Sequence, residues 1–188
     1  TVGANQINAA NAPVLNGGST LTMFGTNTLA GLTLNSIGNI APTVATGTSL
    51  ILSGNVTATS SNVAAAGLIS GTLLDLNGGA RTIQVDPISV NGQVVSRLLS
   101  TLNISAPIGN GSIVKTGGGL LTLSGTSLAT LGSVDVQAGG VIVGATPFNV
   151  ATTLTVSGNN TTLSSQWSKI FSNSVIFHIA GGQISRCL

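Results

Sequence analysis

GSIVKTGGGLLTLSG, residues 111–125, carries two kinds of signal side by side. Leu121 and Leu123 fall on one side of an extended chain and Thr122 and Ser124 on the other, the period of two expected of a strand with one wet face. Ahead of them, Lys115 is followed by Gly117, Gly118 and Gly119, a run that marks a tight turn or a close pass beside another backbone. Gly125 ends the strand. Lys115 is expected to face outward at a corner, its aliphatic stem lying over apolar surface.

Working outward from this stretch, the paired pattern recurs. Ile83, Leu102, Leu121 and Val141 follow one another at nearly equal intervals of about 20 residues, the spacing of a short structural repeat. Each has an apolar mate two places on: Val85, Ile104, Leu123 and Val143. A second series, Val134/Val136 and Leu154/Val156, repeats at the same interval. Evenly spaced apolar pairs bounded by Gly or Asn are the signature of a solenoid, in which each circuit lays a strand on its equivalent in the circuit before. The expectation is an all-β fold, a parallel β-helix (β-solenoid) of about 20 residues per coil, with Ile83, Leu102, Leu121 and Val141 in one column. A β-sandwich also has short strands and turns, but it predicts no fixed repeat.

Earlier in the chain, Leu21/Met23, Leu32/Leu34, Leu50/Leu52 and Leu74/Leu76 alternate in the same way. Residues 55–72 are rich in Ala, Ser and Thr with weak periodicity, and are expected to form a loop or irregular coil. After Leu163 the character changes: Trp167, His178 and Cys187 are the sole residues of their kinds, and Val175, Phe177 and Ile179 alternate as a strand would. The solenoid is therefore assigned to residues 1–163. Residues 164–188 are read as a tail that caps the open end or docks on a neighbouring subunit, since an uncapped end exposes a sheet edge.

Composition supports strands and narrows the chemistry. Charged residues make up 4% of the 188 positions, against roughly a quarter in an average globular domain. Glu and Tyr are absent, and Thr, Ser and Asn fill the polar positions. A helical protein would need long straight-chain polar residues on its wet face. A net charge of +2 without aromatic platforms does not make a nucleic-acid surface, so no nucleic-acid partner is expected. No apolar run reaches the ~18 residues of a membrane helix. The opening TVGANQINAANAPVLNGG has neither a basic start nor an apolar block, so the chain is read as a processed mature form or an excised segment. A lone Cys187 cannot form an internal disulfide.

Acid–base cleavage of a glycosidic bond needs two carboxylates facing one substrate. The candidates are Asp75, Asp86 and Asp135. Asp75 and Asp135 each stand alone between inward strand residues, and Asp86 precedes Pro87 as a turn former would. His178 has no partner at metal-ligand spacing. KTGGG lacks the Gly-Lys-Ser/Thr ending of a phosphate loop. No catalytic, cofactor-binding or metal-binding residue is assigned, no cofactor is expected, and the chain is not expected to be an enzyme.

The Lys, spaced glycines and alternating leucines of residues 111–125 resemble the passenger-associated repeat of bacterial autotransporters. The residues that carry this likeness are Lys115, Gly117, Gly119, Leu121, Leu123 and Gly125. GSVDVQAGGVIVG (Gly132–Gly144) is similar to the segment that follows that repeat, and LLDLNGGARTIQVD (Leu73–Asp86) to the element that precedes it. The likeness covers residues 73–144 well and 19–56 loosely. It implies a right-handed parallel β-helix, secreted or at the cell surface of a Gram-negative-type bacterium. The membrane-embedded barrel of such proteins is not among these residues, so on this reading the chain does not export itself. The expected role is a structural module, a stalk or fibre segment that self-associates end to end as a homo-oligomer or filament. The alternative is an adhesin that binds a glycan or host-surface ligand through its outward Thr/Asn face or a loop. A carbohydrate-active enzyme ranks third.

Overall fold

A computed structural model describes residues 3–128, 130–144, 150, 153–158, 161–165, 176–179 and 183–186. The described residues form strands and turns with no helix. Two sheets are each eight strands deep and run in chain order. Sheet 1 comprises Val14–Asn16, Leu32–Ser36, Val56–Ser60, Ala80–Val85, Gly111–Thr116, Leu131–Val136, Thr153–Val156 and Ile176–Ile179. Sheet 2 comprises Thr20–Thr22, Thr43–Ala45, Gly67–Ser70, Ser100–Ile104, Leu120–Leu123, Gly140–Val143, Thr162–Ser165 and Gln183–Arg186. Sheet 3 has four strands, Thr26–Leu29, Ser49–Leu52, Leu74–Asp75 and Ile108–Gly109. All pairings within these sheets are parallel. The fold is a parallel β-solenoid.

The coil length varies along the stack. In sheet 2, Thr20, Thr43, Leu68, Asn103, Thr122, Ile142, Ser164 and Ser185 occupy one column. The steps between them are longest from Leu68 to Asn103 and shortest just after it. The mean is about 23 residues per turn, above the expected length. Two structural reasons account for the excess. Sheet 3 gives the earlier circuits a third side, which fades after Ile108 into an isolated bridge to Ser127. The longest step contains an inserted antiparallel hairpin, Ile88–Val90 with Gln93–Ser96.

That hairpin also corrects the expected column. Leu102, Leu121 and Val141 do lie in register in sheet 2, with Leu163 next. Ile83 does not join them; it lies in sheet 1 between Val56 and Lys115. The stretch from Ile83 to Leu102 is the passage from sheet 1 to sheet 2 within a single circuit, lengthened by the hairpin until it matches a full turn. In the next circuit the same passage runs directly from Lys115 through the glycine turn to Leu121. The second series holds as expected: Val134 pairs with Leu154 and Val136 with Val156.

Residues 55–72 are more regular than their composition suggests. They supply Val56–Ser60 and Gly67–Ser70, in sheets 1 and 2. The inward position between Leu34 and Val85 is held by Ala58, fully buried yet too small to mark an apolar face in the sequence. Beyond Leu163, Ile176–Ile179 and Gln183–Arg186 supply the last strand of each long sheet. Trp167, Phe171 and Cys187 lie outside the described residues, as do the side chains of Phe177 and His178.

Inward Leu, Ile and Val form one continuous core from Leu15 to Leu163. On the wet side of sheet 1, polar residues bond along the stack. Asn35 Nδ2 donates to Asn16 Oδ1 at 2.9 Å, and Thr59 Oγ1 donates to Asn35 Oδ1 at 2.8 Å. Asn35 is the middle rung of this ladder, so Asn35→Ala breaks both bonds. The expected loss is about 1 kcal/mol, because the freed groups meet water; urea denaturation followed by circular dichroism measures it.

Candidate functional site

The motif residues come first. Leu121 and Leu123 point into the core and are buried. Gly119 and Gly125 pass so close to the preceding circuit that a Cβ at either would run into a carbonyl oxygen, of Asp86 and Ala106 respectively. Lys115 departs from expectation. It faces inward with 0% of its surface exposed, as one rung of a column otherwise made of Val56, Ile83, Val136 and Val156.

The Lys115 ammonium is accommodated by the glycine turn beside it. Nζ donates to the carbonyls of Thr116 (2.8 Å), Gly117 (2.7 Å) and Ala138 (3.0 Å), which uses all three of its hydrogens. Gly117 adopts φ 75°, a left-handed turn that presents its own carbonyl and that of Thr116 to Nζ. Ala138 belongs to the next circuit, so the lysine ties two successive turns together from inside. Burial pushes its pKa down to about 8, while the Asp86 carboxylate opposes that shift. The outward placement fails because parity along the strand outweighs the polarity of one side chain. Lys115 lies two places after the inward Ile113, a signal legible in SIVKT.

The three aspartates are not brought together. Asp75 accepts from the Asn77 backbone N–H at 2.7 Å and from Asn110 Nδ2 at 2.8 Å. Asp135 accepts from Gln137 Nε2 and Ser157 Oγ, each at 2.8 Å. Asp86 accepts from Gln84 Nε2 at 3.2 Å. Each is spent on a separate turn or strand face, which is the bonding of structural carboxylates. Among the described residues no cluster of three or more His, Cys, Asp or Glu side chains could hold a metal ion.

One feature with the shape of a binding site centres on Arg97, a residue not singled out in the sequence. The loop that follows the inserted hairpin stands beside the outer face of sheet 2 and leaves a groove of about 710 Å³ between them. Arg97 and Leu98 form one wall. The floor crosses three successive strands: Leu120, Gly140 and Thr162 make one outward column, and Ile142 and Ser164 a second. Gly140 leaves a notch between Leu120 and Thr162, into which the Leu120 side chain leans. Arg97 is the only charged residue lining the groove among the described residues. Its guanidinium lies against Gly118, where a Cβ would meet Nη1. Among the described residues it has no hydrogen-bond or ion-pair partner. Val94, Val95, Leu98 and Leu99 are exposed on the hairpin side, Leu98 to 87%. Only folding brings Arg97 to Thr162, which lies far along the chain.

No family model, curated protein or solved structure matches this chain. The likeness to the passenger-associated repeat therefore stands on its residues, and the parallel β-solenoid they imply is the fold observed.

Proposed function

We propose that this chain is a structural β-solenoid module of an exported protein, a stalk or fibre segment at the surface of, or secreted by, a Gram-negative-type bacterium. The observation that supports it most is the pair of sheets eight strands deep around an unbroken aliphatic core. Such a stack is stiff along its axis without any site chemistry, and at about 4.8 Å per strand it extends roughly 35 Å. The near absence of charge and the Thr/Asn/Ser wet face fit export, and the resemblance at residues 73–144 supports the passenger reading.

End-to-end association follows from the edges. Among the described residues Val14–Asn16 and Thr20–Thr22 pair on one side only, so each leaves an open row of backbone donors and acceptors beside exposed Val14. Negative-stain electron microscopy of concentrated protein is expected to show rods or filaments one solenoid wide. Discrete particles of monomer size at every concentration, with no elongated species in light scattering, would overturn self-association.

A second reading, an adhesin module, is favoured by the groove beside the Arg97 loop. Its volume lies within the range typical of small-molecule sites, and it offers a free cation over a floor of mixed polarity. The separated, individually bonded aspartates give the enzyme reading no comparable support.

A further inference from the structure

We infer that the groove between the Arg97 loop and the outer face of sheet 2 binds an acidic oligosaccharide, through a sugar carboxylate held by Arg97. The inference rests on the adhesin reading and gives it a ligand class.

Charge sets the sign of the ligand. Among the described residues Arg97 is the one ionised group lining the groove, no aspartate lines it, and its guanidinium is uncommitted. A planar guanidinium with a full set of free donors matches a carboxylate in two parallel hydrogen bonds. Gly118 makes room for it by lacking a side chain at the position the guanidinium occupies.

The floor sets the rest of the ligand. Strands Leu120–Leu123, Gly140–Val143 and Thr162–Ser165 each pair on both sides within sheet 2. Their backbone groups are spent in the ladder, so a peptide cannot dock here by adding a strand. A ligand must instead use side-chain hydroxyls and apolar contacts. Thr162 and Ser164 supply hydroxyls, and Leu120 and Ile142 supply aliphatic surface. That combination suits a pyranose, which has hydroxyls at its edge and C–H groups on its faces. With a single cation and no aromatic among the described residues that line it, the groove lacks the features of a nucleic-acid track.

The test is isothermal titration of the whole chain with trigalacturonate, with its methyl ester as the neutral counterpart, and with sodium acetate and hexa-aspartate as anions without a sugar. Trigalacturonate is expected to bind, the methyl ester about tenfold or more weakly, and acetate and hexa-aspartate not measurably, since a charge-assisted pair is lost or unsupported. Arg97→Ala is expected to reduce trigalacturonate affinity by about tenfold or more. Gly118→Ala, which displaces the guanidinium without a positive-φ penalty, is expected to weaken it in the same direction. Equal binding of the acid and its ester, undiminished binding by Arg97→Ala, or hexa-aspartate binding as tightly as the sugar would each overturn the assignment. Arg97 and Gly118 lie outside the solenoid core, so both variants are expected to keep the wild-type circular-dichroism melt. Rod formation reports on the structural reading separately: rods without sugar binding sink this inference alone.

Discussion

Lys115→Ala is expected to destabilise the protein by about 4 kcal/mol, the largest effect of any single change considered. Two losses combine. Truncation removes a fully buried side chain from a column between Ile83 and Val136, a large-to-small change that costs about 2–5 kcal/mol in packed cores. It also leaves the carbonyls of Thr116, Gly117 and Ala138 without their donor. Lys115→Met restores most of the volume but not the donor, so about half of the loss should return. Urea denaturation of both variants separates packing from hydrogen bonding; equal losses would show that filling the column contributes nothing.

The same lysine predicts a pH dependence with a definite sign. Its folded pKa of about 8 lies below the ordinary 10.5, so the folded protein releases this proton first as pH rises. Below about pH 8 both folded and unfolded chains carry the charge, and the cost of burying it is present in full. Between about 8 and 10.5 the unfolded chain binds more protons than the folded one, so this group makes stability rise with pH. Measured relative to Lys115→Met, which has nothing to titrate there, the wild-type urea midpoint should climb across that window. A flat difference would mean that the three carbonyls hold the ammonium charged against the cost of burial.

Gly139→Ala is expected to cost about 3 kcal/mol, mostly from what lies beneath it. Gly139 adopts φ 67°, where a Cβ costs roughly 1–2 kcal/mol for backbone reasons alone. That Cβ would also run into the carbonyl oxygen of Gly119 in the circuit below. The turn would have to lift, carrying with it the Ala138 carbonyl that Lys115 holds. Gly78 provides the control: it has the same φ of 67° but open space around the position of a Cβ. Gly78→Ala should therefore show the backbone cost only, near ~1–2 kcal/mol. Equal thermal shifts for the two variants would show that stacking of the turns adds nothing.

Much of this architecture can be read in one dimension because a solenoid stacks near-equivalent circuits, and that repetition leaves a trace in the chain. Leu102, Leu121 and Val141 stand in one column, as do Val134 with Leu154 and Val136 with Val156, because each circuit after the hairpin closes in about the same length. The reading goes astray where local content mimics or hides the period. Ile83 falls one apparent period before Leu102 only because the hairpin lengthens a short part of a circuit to the length of a whole one. Ala58 conceals a regular strand by filling a core position with one methyl group. Lys115 misleads through its charge, although its parity with Ile113 points inward.

Parity and period along the chain were enough to dictate strands, parallel stacking and the apolar column, since these depend on which residues share a face and how often the face recurs. The third side of the early circuits, the interior seat of Lys115 and the groove under Arg97 were settled only in three dimensions. Each depends on what meets what between circuits: a carbonyl of the next turn within reach of an ammonium, a glycine beneath a glycine, a guanidinium beside strands much later in the chain. Neighbours of that kind are set by how far each circuit travels before it closes, and side-chain order along one strand does not encode that distance.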